Sequence, residues 1–160
     1  MTQKIKPCLW FDTQAEEAAK FYVSIFENSR ILEVAHYGES GPGPTGTVMV
    51  VSFELDGQEY IALNGGPRVT FNEAISFQVS CEDQDEVDSL WSRLTEGGEE
   101  GPCGWLKDRF GLSWQITPTR LIELIMDPDP ERSQRAMRSM MTMKKIYIDA
   151  VEEAAGATAG

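Results

Sequence analysis

Three amide side chains interrupt apolar runs of this chain and are its best candidates for binding chemistry. Asn64, Gln78 and Gln115 each lie within or beside a strand-like apolar segment. An amide on an apolar face has to be satisfied by backbone, water or a ligand, because an unpaired buried amide is costly. We therefore predict that these three residues contact a ligand.

Few residues have the chemistry of a nucleophile or a base. His36 is the only histidine and lies beside Tyr37 on a strand-like segment, which favours a surface position over a catalytic one. Cys8 lies on the first strand-like run and is expected to face a cavity. Nothing near it in sequence supplies the basic neighbour or helix start that stabilises a thiolate. We name no catalytic residue and place Cys8 among the ligand contacts.

The cysteine pattern indicates free thiols. Cys8, Cys81 and Cys103 are odd in number and include no Cys-x-x-Cys pair, so neither a disulfide framework nor a zinc knuckle is indicated. The N-terminal segment is polar and contains no apolar stretch of signal length. We expect a cytoplasmic protein.

The charge balance argues against two classes of partner. The 160 residues include 14 basic and 26 acidic ones, which gives a net charge of -12. Such a chain repels phosphate backbones and anionic lipid surfaces. No apolar segment has the length needed to span a bilayer. We expect no nucleic-acid partner and no membrane partner.

Large aromatic residues are distributed over the strand-like segments. Together with Phe77, four of them are expected to surround one space: Trp10, Phe53, Trp105 and Trp114. Aromatic walls with a few amides suit a flat or apolar small molecule, and filling the core is the alternative for each ring. Asp108 is expected near the mouth of this space, where with Lys107 it orients a polar group of the ligand or forms a solvated ion pair.

The elements that position these residues occur twice. Sliding the sequence by 70 positions aligns residues 13–16 with residues 83–86, and Phe21 with Trp91. Each half reads as one strand, one helix and three strands, a size that would be marginal alone. We predict an α+β fold with two βαβββ repeats, 5–66 and 75–118, that form a curved mixed sheet around a central cavity in one domain, 1–160.

Cap and turn residues set the predicted boundaries. Asp12 or Thr13 caps the first helix as part of a capping box, and Asp83 opens the second helix. Asp56-Gly57 is a two-residue hairpin turn, and the glycine- and proline-rich stretch 38–46 is an exposed connection. The predicted strands are 5–11, 31–37, 47–55, 60–64, 75–81, 99–102, 104–107 and 112–117.

The C-terminal helical extension, 119–155, differs from both repeats. A short helix is expected over 119–126, and Pro130 then starts another. From Glu131 on, apolar residues rich in methionine recur at three- and four-residue spacing, as in one amphipathic helix. This helix covers the sheet of its own domain or docks on a second copy, and we expect a homodimer. Residues 156–160 are expected to be unordered.

Several segments resemble those of a known family. They are 8–12 (CLWFD), 62–67 (ALNGGP), 71–77 (FNEAISF), 104–108 (GWLKD) and 110–115 (FGLSWQ). With the two repeats, they are similar to the PhnB-like, 3-demethylubiquinone-9 3-methyltransferase-type family of the vicinal oxygen chelate (glyoxalase/bleomycin resistance/dioxygenase) superfamily. The resemblance covers about residues 5 to 150 and implies paired modules around a small-molecule pocket.

The metal chemistry that this resemblance implies is not matched by the residues present. The superfamily's metalloenzymes place His, Gln or Glu on the first and last strand of each repeat, with a Glu four residues after an Asp-x-x-Gly turn. The turn is present at 108–111. The four ligand positions are held by Cys8, Gln78, Gln115 and either Ile61 or Ala62. Two neutral amides and a thiol hold a hard divalent ion poorly, so we predict no metal site and no cofactor.

Two functions remain as hypotheses. The preferred one is a small-molecule binding protein, without a conventional metal site, whose ligand the sequence does not identify. The alternative is a divergent glyoxalase- or dioxygenase-like enzyme, either metal-free or with a metal weakly held by Cys8, Gln78 and Gln115. Methyltransferase activity is not expected, because no glycine-rich turn links a strand to a helix as a Rossmann-like cofactor site requires.

Overall fold

The computed structural model describes residues 2–156 and divides the chain into two compact units. The first unit ends at Phe71 and the second begins at Asn72, so the division falls between the two predicted repeats. Each unit contains one four-stranded mixed sheet and a helix packed on it. The α+β class with two βαβββ repeats is therefore confirmed.

The first unit consists of β1 (Cys8–Phe11), α1 (Ala15–Ile25), β2 (Arg30–His36), β3 (Val48–Leu55) and β4 (Gln58–Asn64). The strand order is β1-β4-β3-β2, with β1 parallel to β4 and the other pairs antiparallel. β1 is shorter than predicted at its start. Pro7 precedes it and has no N–H for the ladder, and its carbonyl accepts a hydrogen bond from Ile61 N at 2.9 Å.

One apolar face of α1 packs on the first sheet. In this contact, the ring of Tyr22 lies 6.4 Å from that of Phe53 on β3. The buried residues of α1 are Ala15, Ala18, Ala19, Tyr22 and Ile25. This contact leaves the opposite face of the sheet uncovered by α1.

The predicted cap of α1 by Asp12 or Thr13 is wrong. Gln14 is the N-cap residue, and it makes no side-chain capping hydrogen bond. Instead, Asn64 Oδ1 at the end of β4 accepts a hydrogen bond from Ala15 N at 2.8 Å. A long-range amide satisfies the helix N–H that the local capping box was expected to satisfy.

The turns of the first unit follow the sequence closely. Asp56 and Gly57 have φ angles of 49° and 78°, the left-handed pair that a type I′ hairpin requires. The glycine- and proline-rich connection after β2 has neither helix nor strand, as predicted, and it folds against Tyr37. A Cβ added at Gly41 or Gly43 would come within 2.7 or 2.4 Å of that ring. Glycine is therefore required there by the close approach of the backbone.

The second unit repeats the order with β5 (Ser76–Cys81), α2 (Gln84–Thr95), β6 (Glu99–Glu100), β7 (Trp105–Lys107) and β8 (Ser113–Pro118). The strand order is β5-β8-β7-β6, with β5 parallel to β8. Asp83 caps α2 as predicted, because its side chain accepts a hydrogen bond from Glu86 N at 2.9 Å. Gly97, with φ of 76°, follows the end of the helix, where a left-handed glycine is a common stop.

The extension after β8 forms three helices, α3 (Thr119–Ile125), α4 (Pro130–Met140) and α5 (Ile148–Gly156). The single amphipathic helix predicted from Glu131 on is therefore wrong, because seven residues between α4 and α5 are not helical. Gly156 ends α5, contrary to expectation. The other residues expected to be unordered, 157–160, lie outside the described residues.

Tertiary hydrogen bonds explain why the helix is interrupted. Cys103 N and Gly104 N donate to the carbonyl oxygens of Met143 and Lys144, at 2.8 and 2.7 Å. This pairing holds the non-helical backbone between α4 and α5 beside the connection that precedes β7. Such pairing satisfies backbone groups outside a helix and offsets the local helical pattern.

Gln84, the first residue of α2, holds the far end of the same segment. Its Nε2 donates to Ile146 O at 3.0 Å, and its Oε1 accepts from Ile148 N at 2.8 Å. Lys145 adds an ion pair with Asp88 at 2.9 Å. The hydrogen bonds from Gln84 and Lys145 lower the pKa of Asp88. The first N–H of α5, that of Ile148, is therefore capped by the side chain of a residue in another helix, Gln84.

The three C-terminal helices share an apolar cluster within the second unit. Its buried members are Leu121, Leu124, Ala136, Ile146, Val151 and Ala155. The predicted apolar face thus packs mainly on the other C-terminal helices of its own unit, and not on the sheet as the first alternative expected. Three other apolar side chains of this region stay exposed, namely Ile122 (44%), Met126 (73%) and Met141 (66%).

Candidate functional site

The residues of interest in the second sheet lie on the face opposite α2. Leu106 and Trp114 are buried on the side of α2, and alternation along the strands turns their neighbours to the other side. Gln115 pairs with Gln78 on β5 and with Trp105 on β7. Three residues that were predicted from separate segments therefore meet in one row across the sheet.

Hydrogen bonds connect the amides of this row to a serine. Gln115 Nε2 donates to Ser76 Oγ at 2.8 Å, and Gln78 Nε2 donates to Gln115 Oε1 at 3.4 Å. The second bond is long and therefore weak. Gln115 is held in one orientation, whereas the exposed Gln78 can exchange this contact for one with a bound molecule.

The next row on the same face carries charge. The register places Ser76, Ser113, Lys107 and Glu99 side by side across the four strands. Lys107 Nζ lies 2.6 Å from Glu73 Oε1. Their hydrogen bond raises the pKa of Lys107 and lowers the pKa of Glu73, so both groups keep their charges at neutral pH.

A cavity of about 520 Å³ opens beside these two rows. It lies entirely within the second unit, between β6, β7 and the connection that joins them. Its volume is within the range of small-molecule sites. The lining residues that matter for chemistry are Glu73, Glu99, Glu100, Cys103, Trp105, Lys107 and Ser113.

Ser113 has an unpaired hydroxyl at this cavity. The residue is fully buried, and its Oγ has no hydrogen-bond partner within residues 2–156. Such a group is rare in folded proteins and marks a place where another molecule completes the hydrogen bonding. Sequence reasoning missed Ser113 and Glu73. A signal for Ser113 existed, since it precedes Gln115 by two positions on one strand and must share its face.

Three residues that were predicted to contact a ligand are buried in the protein interior and do not line the cavity. Phe53 is fully buried beneath α1, and Trp114 is 2% exposed. Asp108, also 2% exposed, accepts hydrogen bonds from Phe110 N (2.8 Å), Leu112 N (3.1 Å) and Trp114 Nε1 (2.9 Å). Its expected position at a cavity mouth is therefore wrong. Asp108 shapes its own turn and anchors the indole, so we leave these three residues out of the site.

In the first sheet, the positions equivalent to Gln78 and Gln115 are not occupied by amides. Cys8 pairs with Ile61 between β1 and β4, as Gln78 pairs with Gln115 between β5 and β8. The register thus selects Ile61 over Ala62, which is buried on the side of α1. Neither side chain of the first pair can accept a strong hydrogen bond.

Trp10 and Asn64 already have partners within the first unit. Trp10 Nε1 donates to Gly66 O at 2.9 Å, and the Arg68 guanidinium lies 5.1 Å from the indole centroid. Asn64 Nδ2 donates to Val48 O at 3.1 Å, while its Oδ1 caps α1. Asn64 also borders a cavity of about 530 Å³ in this unit, but both ends of its amide are already engaged.

The three cysteines are free, as predicted. Partial burial raises the pKa of the exposed Cys8. Burial, followed by the charges of Glu86 and Asp83, raises the pKa of Cys81 to about 12. Both thiols are therefore protonated at neutral pH, and neither has the low pKa of an activated nucleophile.

A family model described as 3-demethylubiquinone-9 3-methyltransferase matches residues 3–117. The chain belongs to this family. A solved PhnB protein from Bacillus cereus is 37% identical, with a TM-score of 0.66 over 73% of this chain and 100% of that chain. The family match ends just before α3, so the helical extension lies outside it.

More distant solved structures share the fold. A protein from Pseudomonas aeruginosa is 20% identical, with a TM-score of 0.61 over 73% of this chain and 98% of that one. The fosfomycin resistance protein FosX from Listeria monocytogenes is 15% identical, with a TM-score of 0.50 over 74% and 93%. No curated protein matches the chain. The resemblance to PhnB-like proteins is thus confirmed, and the chain shares the fold of FosX.

The resemblance to the vicinal oxygen chelate superfamily implies a metal ion, and the residues present do not fit one. Gln78 and Gln115 are neutral amides, whereas hard divalent cations prefer carboxylates and imidazoles. No group of three or more His, Cys, Asp or Glu side chains in the described part of the chain is arranged to hold a metal ion. Separately, no helix within residues 2–156 is long and apolar enough to cross a bilayer.

Proposed function

We propose that the protein binds a small organic molecule in the cavity of its second unit, without a conventional metal site. The cavity of about 520 Å³ carries this proposal. Trp105 forms part of its wall, and the same residue lies in a row with Gln115 and Gln78. Concave sites with an aromatic wall and a few polar groups are typical of small-molecule binding.

The polar groups around the cavity support binding over catalysis. Gln115 is fixed by Ser76, and Gln78 has a weak bond that a ligand can replace. Neutral amides orient a ligand through hydrogen bonds, but they are poor general acids or bases. The second unit, which holds the cavity thiol of Cys103, contains no histidine that could act as its base.

The methyltransferase activity in the family's name is not part of this proposal. A Rossmann-like cofactor site needs a glycine-rich turn between a strand and the helix that follows. The strand-to-helix connections are 12–14 after β1 and 82–83 after β5, and neither contains glycine. α3 follows β8 directly.

The test is to identify what the purified protein carries. We expect mass spectrometry of protein prepared without chelator to detect an organic molecule that Trp105→Leu loses. Tyr147→Leu, which truncates an aromatic ring that is 52% exposed and does not line the cavity, should retain it. Stoichiometric iron, zinc, manganese or nickel that is lost in Gln78→Ala would overturn the proposal and favour the divergent enzyme.

We also propose a cytoplasmic homodimer in which the full chain acts as one domain. The exposed Ile122, Met126 and Met141 support self-association, because methionine-rich surfaces are common at interfaces. The three free cysteines support a reducing compartment. Native mass spectrometry over a concentration series checks the dimer, and a monomer at every concentration would refute it.

A further inference from the structure

We propose that the ligand of the second-unit cavity is an organic cation with a flat or apolar body. The charged end is a protonated amine or amidine. This inference rests on the proposed function of the same cavity and adds the chemical class of the ligand. It is carried by the charges at the cavity, by the unpaired hydroxyl of Ser113 and by the position of Trp105.

The charges around the cavity leave an excess of negative groups. Two carboxylates of the cavity lining, those of Glu73 and Glu99, stand against one ammonium, that of Lys107. Glu100 is not counted, because its Oε1 accepts a hydrogen bond from Trp91 Nε1 of α2 at 2.7 Å. Lys107 is bonded to Glu73 at 2.6 Å, and Glu99 lies opposite Lys107 in the β6–β7 pair. One cation against two anions leaves one excess negative charge. A positively charged ligand balances it, and the chain's net charge of -12 adds a long-range attraction.

Ser113 supplies an independent sign that a polar ligand group belongs here. Its buried Oγ keeps free lone pairs, because the neighbouring Lys107 directs its ammonium to Glu73 instead. Lys107 and Ser113 are directly paired between β7 and β8, and Glu99 follows on β6. An ammonium or amidinium N–H in this row would donate to Ser113 Oγ while it lies near the carboxylates. Such a charge-assisted bond is stronger than one from a neutral donor.

The indole of Trp105 would contact the flat or apolar body of the ligand. Its side chain is half-buried at the cavity and lies in the row adjacent to the charged one. An indole face attracts both flat apolar groups and cations. Pro102 extends the apolar lining. A ligand that spans the two rows would place its apolar body at Trp105 and its charged end at Ser113.

An anionic ligand fits the same cavity less well. It would have to take Lys107 from Glu73, which would leave the Glu73 carboxylate without its partner. It would also lie near Glu99, which faces Lys107 in the sheet. Like charges at such separations repel, and the repulsion offsets what Lys107 contributes.

A matched set of probes tests the inference on the full chain. Phenethylammonium, phenethyl alcohol and hydrocinnamate share one aromatic body and differ in charge. We expect the ammonium probe to shift the indole N–H resonance of Trp105 with an affinity about tenfold above that of the alcohol. That tenfold factor corresponds to ~1.4 kcal/mol. The carboxylate probe should bind more weakly than the alcohol, and the preference should shrink at about 0.5 M salt.

Two pairs of variants separate local charge from overall charge. Glu73→Gln with Glu99→Gln should remove most of the preference for the cation. Glu17→Gln with Glu82→Gln changes the net charge equally at exposed positions that do not line the cavity, and this pair should leave the preference for the cation intact. Ser113→Ala should weaken the ammonium probe several-fold and leave the alcohol nearly unchanged.

The possible outcomes distinguish the two proposals. Equal binding of all three probes at Trp105 would overturn the ligand class and leave the cavity as a binding site. Tighter binding of the carboxylate would also overturn it, in favour of an anion held by Lys107. If no probe shifts Trp105, both the ligand class and the proposed site are wrong.

Discussion

The unpaired hydroxyl of Ser113 makes an unusual stability prediction, that removing a polar group strengthens the fold. A buried hydroxyl without a partner costs about 1–3 kcal/mol, and Ser113→Ala removes that cost. The small void left by the oxygen offsets roughly 0.5 kcal/mol of the gain. We expect the free energy of unfolding to rise by about 1 kcal/mol.

Ser76→Ala is the matched comparison, since Ser76 is the direct neighbour of Ser113 across the β5–β8 pair. Its Oγ accepts a hydrogen bond from Gln115 Nε2 at 2.8 Å. Losing one such bond lowers the free energy of unfolding by about 1 kcal/mol. The same substitution on adjacent strands is therefore expected to have opposite signs, with about 2 kcal/mol between the two variants.

Urea titration of the full chain measures this difference. With a slope of about 2 kcal/mol per molar urea, the two midpoints should be separated by about 1 M. Circular dichroism and tryptophan fluorescence must give coincident transitions before free energies are compared, because the chain has two compact units. A Ser113→Ala variant that is destabilised by about 1 kcal/mol or more would show that the hydroxyl has a partner in the protein and refute the reasoning.

Three further predictions concern residues away from the cavity. Asp108→Asn replaces a carboxylate that accepts three hydrogen bonds, and in thermal denaturation it should lower the free energy of unfolding by about 2–4 kcal/mol. The control, Asp85→Asn on the exposed side of α2, should change that free energy by less than about 0.5 kcal/mol. Gln84→Ala removes the side chain that bonds to Ile146 O and Ile148 N; we expect a loss of about 1–3 kcal/mol and faster amide hydrogen exchange in α5, and unchanged exchange there would contradict the assigned role. In iodoacetamide labelling, Cys8 should react at a rate that keeps rising above pH 9, because its pKa is raised. Cys81 should react only after unfolding, because it has a pKa of about 12 and no exposed surface. Fast labelling of Cys81 in the native state would refute its burial.

The duplicated pattern was sufficient to predict the strands and helices of both repeats. Asp83 and the Asp56-Gly57 turn acted as predicted because both are local signals, set by neighbours in sequence. The amide row was also predictable in part, since the 70-residue offset places Cys8 and Gln78 at equivalent positions.

The errors came from interactions between distant residues. The break before α5 depends on Gln84 and on the connection at Cys103, and neither is visible in the local helical period. Asp108 read as a surface residue because its type is usually exposed, but three donors from its own turn and β8 enclose it. Ser113 was overlooked although it shares the face of Gln115, because its burial and its lack of a partner depend on residues of other strands.

The cap of α1 by Asn64 has a consequence for how the first unit folds. The hydrogen bond joins Ala15 to a residue 49 positions later in the chain, so the first turn of α1 cannot be completed until β4 is in place. The backbone carbonyl of the same residue, Asn64, accepts a hydrogen bond from the Tyr37 hydroxyl at 2.5 Å. The helix, the hairpin and the glycine-rich connection therefore form cooperatively. A fragment that stops before β4 should not fold independently, and the first turn of its α1 should be frayed.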